Sequence, residues 1–238
     1  MAFDSGNRSS ATLARDRVLI DAGLRRYMLR VYNYMASGLA ITGLVALIVA
    51  STPALTQVIF GTPLQWVVIL APLGFVIFLS TRIHAMAFAT AQMVFWSFAG
   101  VMGLSMASIF LVYTGTSIAR VFFITASMFG AMSIYGYTTK KDLSGWGSFL
   151  FMGLIGIIIA MLVNLFLQSP ALYFAVSVIG VLVFTGLTAY DTQTIKEIYA
   201  ESDSPEVAGK KAVMGALRLY LDFINMFIML LRLFGVRR

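Results

Sequence analysis

The chain has 238 residues, 60% of them hydrophobic and 11% charged, with a mean hydropathy of +0.89 and a formal net charge of +7. A soluble domain carries about 45–50% apolar and about 25% charged residues, so this composition excludes a water-soluble globule and indicates a polytopic membrane protein. Cysteine is absent, which rules out disulfides, thiol chemistry and Cys-ligated zinc, and in such a chain the excess of Lys and Arg reads as a topology signal rather than as a nucleic-acid footprint.

The first 30 residues, MAFDSGNRSSATLARDRVLIDAGLRRYMLR, are polar and basic. They contain no apolar core before a small-residue cleavage site, and Asp4, Asp16 and Asp21 argue against a transit peptide. They read as a cytoplasmic tail. Residues 31–238 read as one integral domain. A spanning helix needs about 20 apolar residues. Such runs occur at 31–51, 63–81, 86–113, 117–138, 147–167, 171–191 and 219–235. The last run, LYLDFINMFIMLLRLFG, follows a polar loop, TQTIKEIYAESDSPEVAGKKA. The count is seven spans if that run crosses completely and six if it turns back. Pro72 predicts a kink in the second run. Small residues four apart, Ala99, Gly103 and Ala107 in the third run and Ala126 and Gly130 in the fourth, predict close helix approach.

Loop charges orient the bundle. The tail carries Arg8, Arg15, Arg17, Arg25, Arg26 and Arg30, and alternate turns carry Arg82, then Lys140 and Lys141, then Lys196, Lys210 and Lys211. The intervening turns, TPALTQVIFGTP, YTGTSIA and QSPA, are uncharged. Basic residues favour the cytoplasmic side, so the N-terminus is expected to be cytoplasmic. Seven crossings then place Arg237 and Arg238 on the far side, against the same rule. His84 reads as a loop residue and Arg120 as an anchor at the outer end of the fourth span. Arg232 has no account from sequence.

Asp191 ends the sixth run and Asp222 opens the seventh. With hydrocarbon beginning after Arg218, Asp222 is about 6 Å deep at 1.5 Å per residue. Consecutive helices tend to be neighbours, so the two acids are placed to meet near the inner mouth. A carboxylate at a helix centre costs about 2.5–3.5 kcal/mol on insertion scales. Two readings follow for Asp222. It pairs locally with Arg218, one turn earlier, or it belongs to a functional site. Two carboxylates brought together resist joint ionisation and tend to share a proton. Protonated, such a pair clasps two helices; ionised, it repels and loosens them. Arg82 is either a cation that bridges the pair or a snorkelling topology residue. Asn225, one turn beyond Asp222, either extends a polar path or bonds a neighbouring helix. Two Asp cannot form a Ca²⁺ cage, which wants six to eight oxygens, but they suit a transient cation passage point. The loop sequence ESDSPE lacks EF-hand spacing.

The motifs YLDFINMFIMLLRLFG, AYDTQTIK and KKDLSGWGSFLFMGL together resemble the Bax-inhibitor (transmembrane Bax inhibitor motif) family in its bacterial branch, over most of the chain from the first span onward. The resemblance implies an all-α fold of seven transmembrane helices, with the C-terminal helix central and wrapped by the other six. It also implies a pH-sensitive Ca²⁺ leak gated by a di-aspartyl pair, which falls on Asp191 and Asp222, with an arginine latch on Arg82. No enzymatic activity, cofactor or nucleic-acid partner is expected. The expected partners are membrane lipid, Ca²⁺ as the transported ion, and H⁺, in the cell inner membrane.

Two rival functions are kept. One is a regulator that binds a membrane-bound AAA protease, as some bacterial relatives are linked to one, and it would use the N-terminal tail. The other is an intramembrane hydrolase with paired aspartates. No substrate-binding motif supports it, and it ranks last.

Overall fold

A computed structural model describes the backbone from residue 5 and the side chains from residue 22, through to residue 238. In chain order the helices are α1 (Ser5–Ser51), α2 (Pro53–Phe60), α3 (Leu64–Arg82), α4 (Phe88–Val112), α5 (Gly115–Thr138), α6 (Ser144–Leu167), α7 (Pro170–Glu197) and α8 (Pro205–Phe234). Seven of them hold stretches long and apolar enough to cross a membrane, and no strand occurs among the described residues. The protein is an all-α membrane protein.

Three boundaries differ from the sequence reading. Helix α1 begins well before residue 31, and its apolar stretch spans Ala22–Ser51. The side chains of residues 1–21, most of the expected tail, lie outside the described residues. The segment TPALTQVIFGTP is not a plain loop, because it contains α2. Pro53 takes the first helical position, where its missing N–H costs nothing, after Thr52 in an extended conformation. At 8 residues, α2 is about 12 Å long and cannot span a bilayer. The polar loop expected over 192–212 shrinks to residues 198–204. Lys196, Glu197, Lys210 and Lys211 ride on the last turns of α7 and the first turns of α8. There Ser204 caps α8 by accepting from the Val207 N–H at 3.3 Å, with Pro205 following it.

Small residues set the closest approaches. On α4, Ala99, Gly103 and Ala107 are buried as their spacing predicts. A Cβ on Gly103 would come within 2.8 Å of the Thr42 carbonyl on α1. On α5 the expected pair is not the contact point, since Gly130 faces open space. The close approach is one helical stretch later, at Gly136, where a Cβ would run into the Ala189 carbonyl of α7.

Helix α8 is the most buried span, 72% against 11–39% for the others. Its main neighbours are α1, α4, α5 and α7, while α3 packs chiefly on α4 and α6 on α7. This direct contact with four helices is narrower than a six-helix wrap. Helix α6 is the least buried; it turns Phe149, Phe151, Leu162, Leu165 and Phe166 outward. An apolar surface of this extent belongs in lipid.

The residues after α8 settle whether the last helix turns back. The Val236 N–H donates to Ser117 Oγ at 2.9 Å. The Thr114 N–H donates to the Val236 carbonyl and the Arg238 N–H to the Val112 carbonyl, each at 3.0 Å. The chain beyond α8 is thus pinned to the α4–α5 turn, at the end of the bundle opposite the α7–α8 loop. Helix α8 runs the full length, and Arg237 and Arg238 lie at that C-terminal end.

Two outcomes follow. Gly136→Ala should destabilise the fold by about 1–3 kcal/mol through overpacking, read as a lower Tm in detergent, whereas Gly130→Ala should leave the Tm unchanged or raise it. In the Cys-free chain, Ser202→Cys and Val236→Cys should react with an impermeant maleimide from opposite faces of sealed vesicles.

Candidate functional site

Asp222 is placed by α8 near the middle of the bundle. It is twelve residues before Phe234 and thirteen after Gly209, or about 18 Å and about 20 Å along the helix. Gly209 itself lies against Phe88 at the start of α4. The expectation of an acid about one turn inside the mouth took Arg218 as the helix entrance. Instead Gly209, Ala212, Val213, Gly215, Ala216 and Leu217 are already buried, so three packed turns precede the acid.

The structure brings Asp191 and Asp222 together. Helices α7 and α8 run antiparallel in close contact, with Ile195 against Gly215 and Gly180 against Met229. Between these contacts the two carboxyl groups come within hydrogen-bonding reach. Asp222 is 5% exposed, and Asp191 is half-buried. No donor of another kind reaches Asp222 Oδ2, which with Tyr27 Oη is one of two buried side-chain polar atoms lacking a partner among the described residues. A buried unsatisfied carboxylate oxygen is costly. A proton held between the two acids would satisfy it.

The cation whose charge acts on both acids is Arg218. It is exposed and does not close onto Asp222. Among the described residues the ion pairs within 4.0 Å are Lys210–Glu206 at 3.6 Å and Lys211–Asp203 at 2.6 Å. Arg82 is not brought to the pair. It is exposed at the end of α3, a helix that packs on α2 and α4. Asn225 donates to the Leu221 carbonyl of its own helix at 2.8 Å, so it neither bonds Asp222 nor bridges to a neighbour. His84 is exposed in the α3–α4 turn, and Arg120 is exposed near the start of α5. No group of three His, Asp or Glu forms among the described residues, so the site offers Ca²⁺ two carboxylates, well short of a cage.

Several neighbours of the pair have no signature in the sequence. Beside Asp191, Thr192 Oγ1 is 3.1 Å from Ser133 Oγ, which is 2.5 Å from Tyr32 Oη. This hydroxyl chain ties α7 to α5 and α1. On α8 the fully buried Tyr220 places its Oη 2.6 Å from Thr42 Oγ1, which donates to the Ala99 carbonyl at 2.8 Å. Single Ser, Thr and Tyr residues in apolar helices do not announce such partners.

Two of the three motifs lock together around the same stretch of α7. Gln193 Oε1 accepts from the Leu143 N–H and its Nε2 donates to the Lys141 carbonyl, both at 2.8 Å. The Tyr190 ring lies on Gly147, where a Cβ would come within 2.5 Å of it. Lys196 Nζ donates to the Tyr137 carbonyl at 3.0 Å. Asp142 receives the Ser144 N–H at 2.8 Å at the start of α6, and the contacts with Ser144 hold its carboxyl below the usual range. The α5–α6 turn therefore clamps α7 one turn beyond Asp191. Gln193→Ala leaves a buried N–H and a carbonyl unpaired, and should cost about 1–3 kcal/mol of stability, measured as a drop in Tm.

Known proteins match this whole bundle. The model of the family described as "Inhibitor of apoptosis-promoting Bax1" matches residues 24–238. Protein RP147 of Rickettsia prowazekii is 51% identical over 218 residues, 92% of each chain. Inner membrane protein YbhL of Escherichia coli K12 is 50% identical over 220 residues, 91% of this chain and 94% of its own. A protein of Caulobacter vibrioides is 44% identical over an alignment of 246 residues, 99% of this chain and 98% of its own. A match that starts in α1 and runs through α8 covers every helix described above, so the chain belongs to the Bax inhibitor family.

Proposed function

We propose that the protein is a pH-sensitive, Ca²⁺-permeable leak channel gated by a proton shared between Asp191 and Asp222. One observation carries the reading. A carboxyl oxygen of Asp222 is buried at mid-bundle with no other donor, against the carboxyl of a second helix. In acid the shared proton hydrogen-bonds α7 to α8 and closes the contact. Toward neutral pH the proton leaves, two like charges face each other at short range, and the α7–α8 seam loosens. Arg218 supplies the nearby positive charge that makes the ionised state tolerable. A pair of carboxylates with incomplete coordination lets a divalent cation pause and leave, as conduction requires. The protein is on this reading a non-enzymatic conductor without a cofactor. YbhL is named an inner membrane protein, and we assign the same membrane here, with the basic N-terminal side cytoplasmic.

The test is Ca²⁺ flux into proteoliposomes across pH 5–8. The wild type should conduct least in acid. Asp191→Asn with Asp222→Asn, which supplies permanent amide donors, should lower flux at neutral pH about tenfold and flatten the profile. Arg82→Ala should leave the profile in place, and Arg218→Gln should move it. An unchanged profile in the double Asn variant defeats the reading. The alternative of a regulator that binds a membrane-bound AAA protease requires association that survives the double Asn substitution.

A further inference from the structure

Both ends of the bundle are basic, but acidic side chains occur at only one of them. Every Asp and Glu outside residues 1–21 lies on the α7–α8 loop side of the bundle or at the mid-bundle pair: Asp142, Asp191, Glu197, Glu201, Asp203, Glu206 and Asp222. The C-terminal end carries Arg120, Arg232, Arg237 and Arg238 and no acidic side chain.

One of these arginines lines a cavity. Arg232, half-buried on α8, opens into a cavity of about 300 Å³ between α6, α7 and α8. A guanidinium has five donors in a planar fork. Among the described residues these meet only thioethers, Met161 Sδ at 3.5 Å and Met229 Sδ at 3.9 Å, while the plane rests 5.1 Å over the Tyr173 ring. Thioethers are weak acceptors, so this guanidinium has no oxygen partner among the described residues. Gln168 also lines the cavity, at φ 49°, the one positive-φ residue other than glycine among the described residues. Left-handed backbone favours Gly or Asn, and here a longer amide side chain is held at the cavity rim. Leu165 and the buried Val176 also line the cavity, and Leu165 is 69% exposed on the lipid-facing side of α6. A cationic group beside apolar side chains, one of which reaches lipid, matches an amphiphile with an anionic head.

We propose that this cavity binds the phosphate of an anionic phospholipid from the adjoining leaflet, with Arg232 as the bidentate donor and an acyl chain along Leu165 and Val176. Fork-shaped pairing favours Arg over Lys for such a group. The site is separate from the aspartate pair, and its test does not read flux.

Native mass spectrometry of the detergent-solubilised protein, titrated with phosphatidylglycerol, phosphatidylcholine or inorganic phosphate, decides it. One phosphatidylglycerol should bind per chain in preference to phosphatidylcholine. Affinity should fall at least tenfold in Arg232→Gln and less in Arg232→Lys. Leu165→Trp fills the wall from the lipid side without touching Arg232, and should also displace the lipid; this arm decides if Arg232→Gln does not fold. Undiminished binding in either Arg232→Gln or Leu165→Trp overturns the proposal. So does equal binding of phosphatidylcholine. Displacement of the lipid by an equal concentration of inorganic phosphate overturns it in favour of a free-anion site.

Discussion

An acid in the interior of a membrane protein has to be hidden from lipid, and Asp222 imposes that requirement on the helix that bears it. In hydrocarbon neither a bare carboxylate nor an unpaired backbone group is tolerable. Helix α8 meets the demand by burying most of its circumference against α1, α4, α5 and α7. The less polar spans take the lipid-facing positions. Helix α6, with the highest mean hydropathy of the seven spans at 2.7, is also the least buried at 11%. At these two extremes polarity is buried and the most apolar span is left to lipid, the reverse of a soluble fold.

Much of this order is legible in the sequence. The apolar runs, the small-residue stripe of α4 and the meeting of Asp191 with Asp222 all follow from spacing and helical rise. Helix ends do not follow. Counting from Arg218 takes the last charge as the start of the span, yet packed helix continues back to Gly209. Charges on helix ends likewise read as loop charges, which makes a long loop of residues 192–212. Resemblance and level put Arg82 beside the pair, and neither reports which helix α3 packs on. The hydroxyl chain through Tyr32, Ser133 and Thr192 was invisible, since hydrogen-bond partners more than fifty residues apart leave no local pattern.

Around the pair the fold is unequally braced. On one side of Asp191, Gln193 and Tyr190 fasten α7 to the α5–α6 turn. About one turn and a half before Asp191, Thr185 Oγ1 reaches α8 at the Met226 sulfur, at 4.0 Å. The carboxyl pair therefore lies between a turn that holds α7 by hydrogen bonds and a helix that α7 meets over an extensive, mainly apolar contact.

The position of α8 in the chain has a consequence for biogenesis. It is the helix made last among the described elements, yet it is the most buried span. The α1–α4 contact can form while the ribosome is still working. The grooves that receive α8, by contrast, wait in the bilayer with their inner faces unfilled until residues 205–234 have been inserted. Seating α8 is therefore the step that completes the bundle, and it follows the synthesis of every helix that α8 packs against.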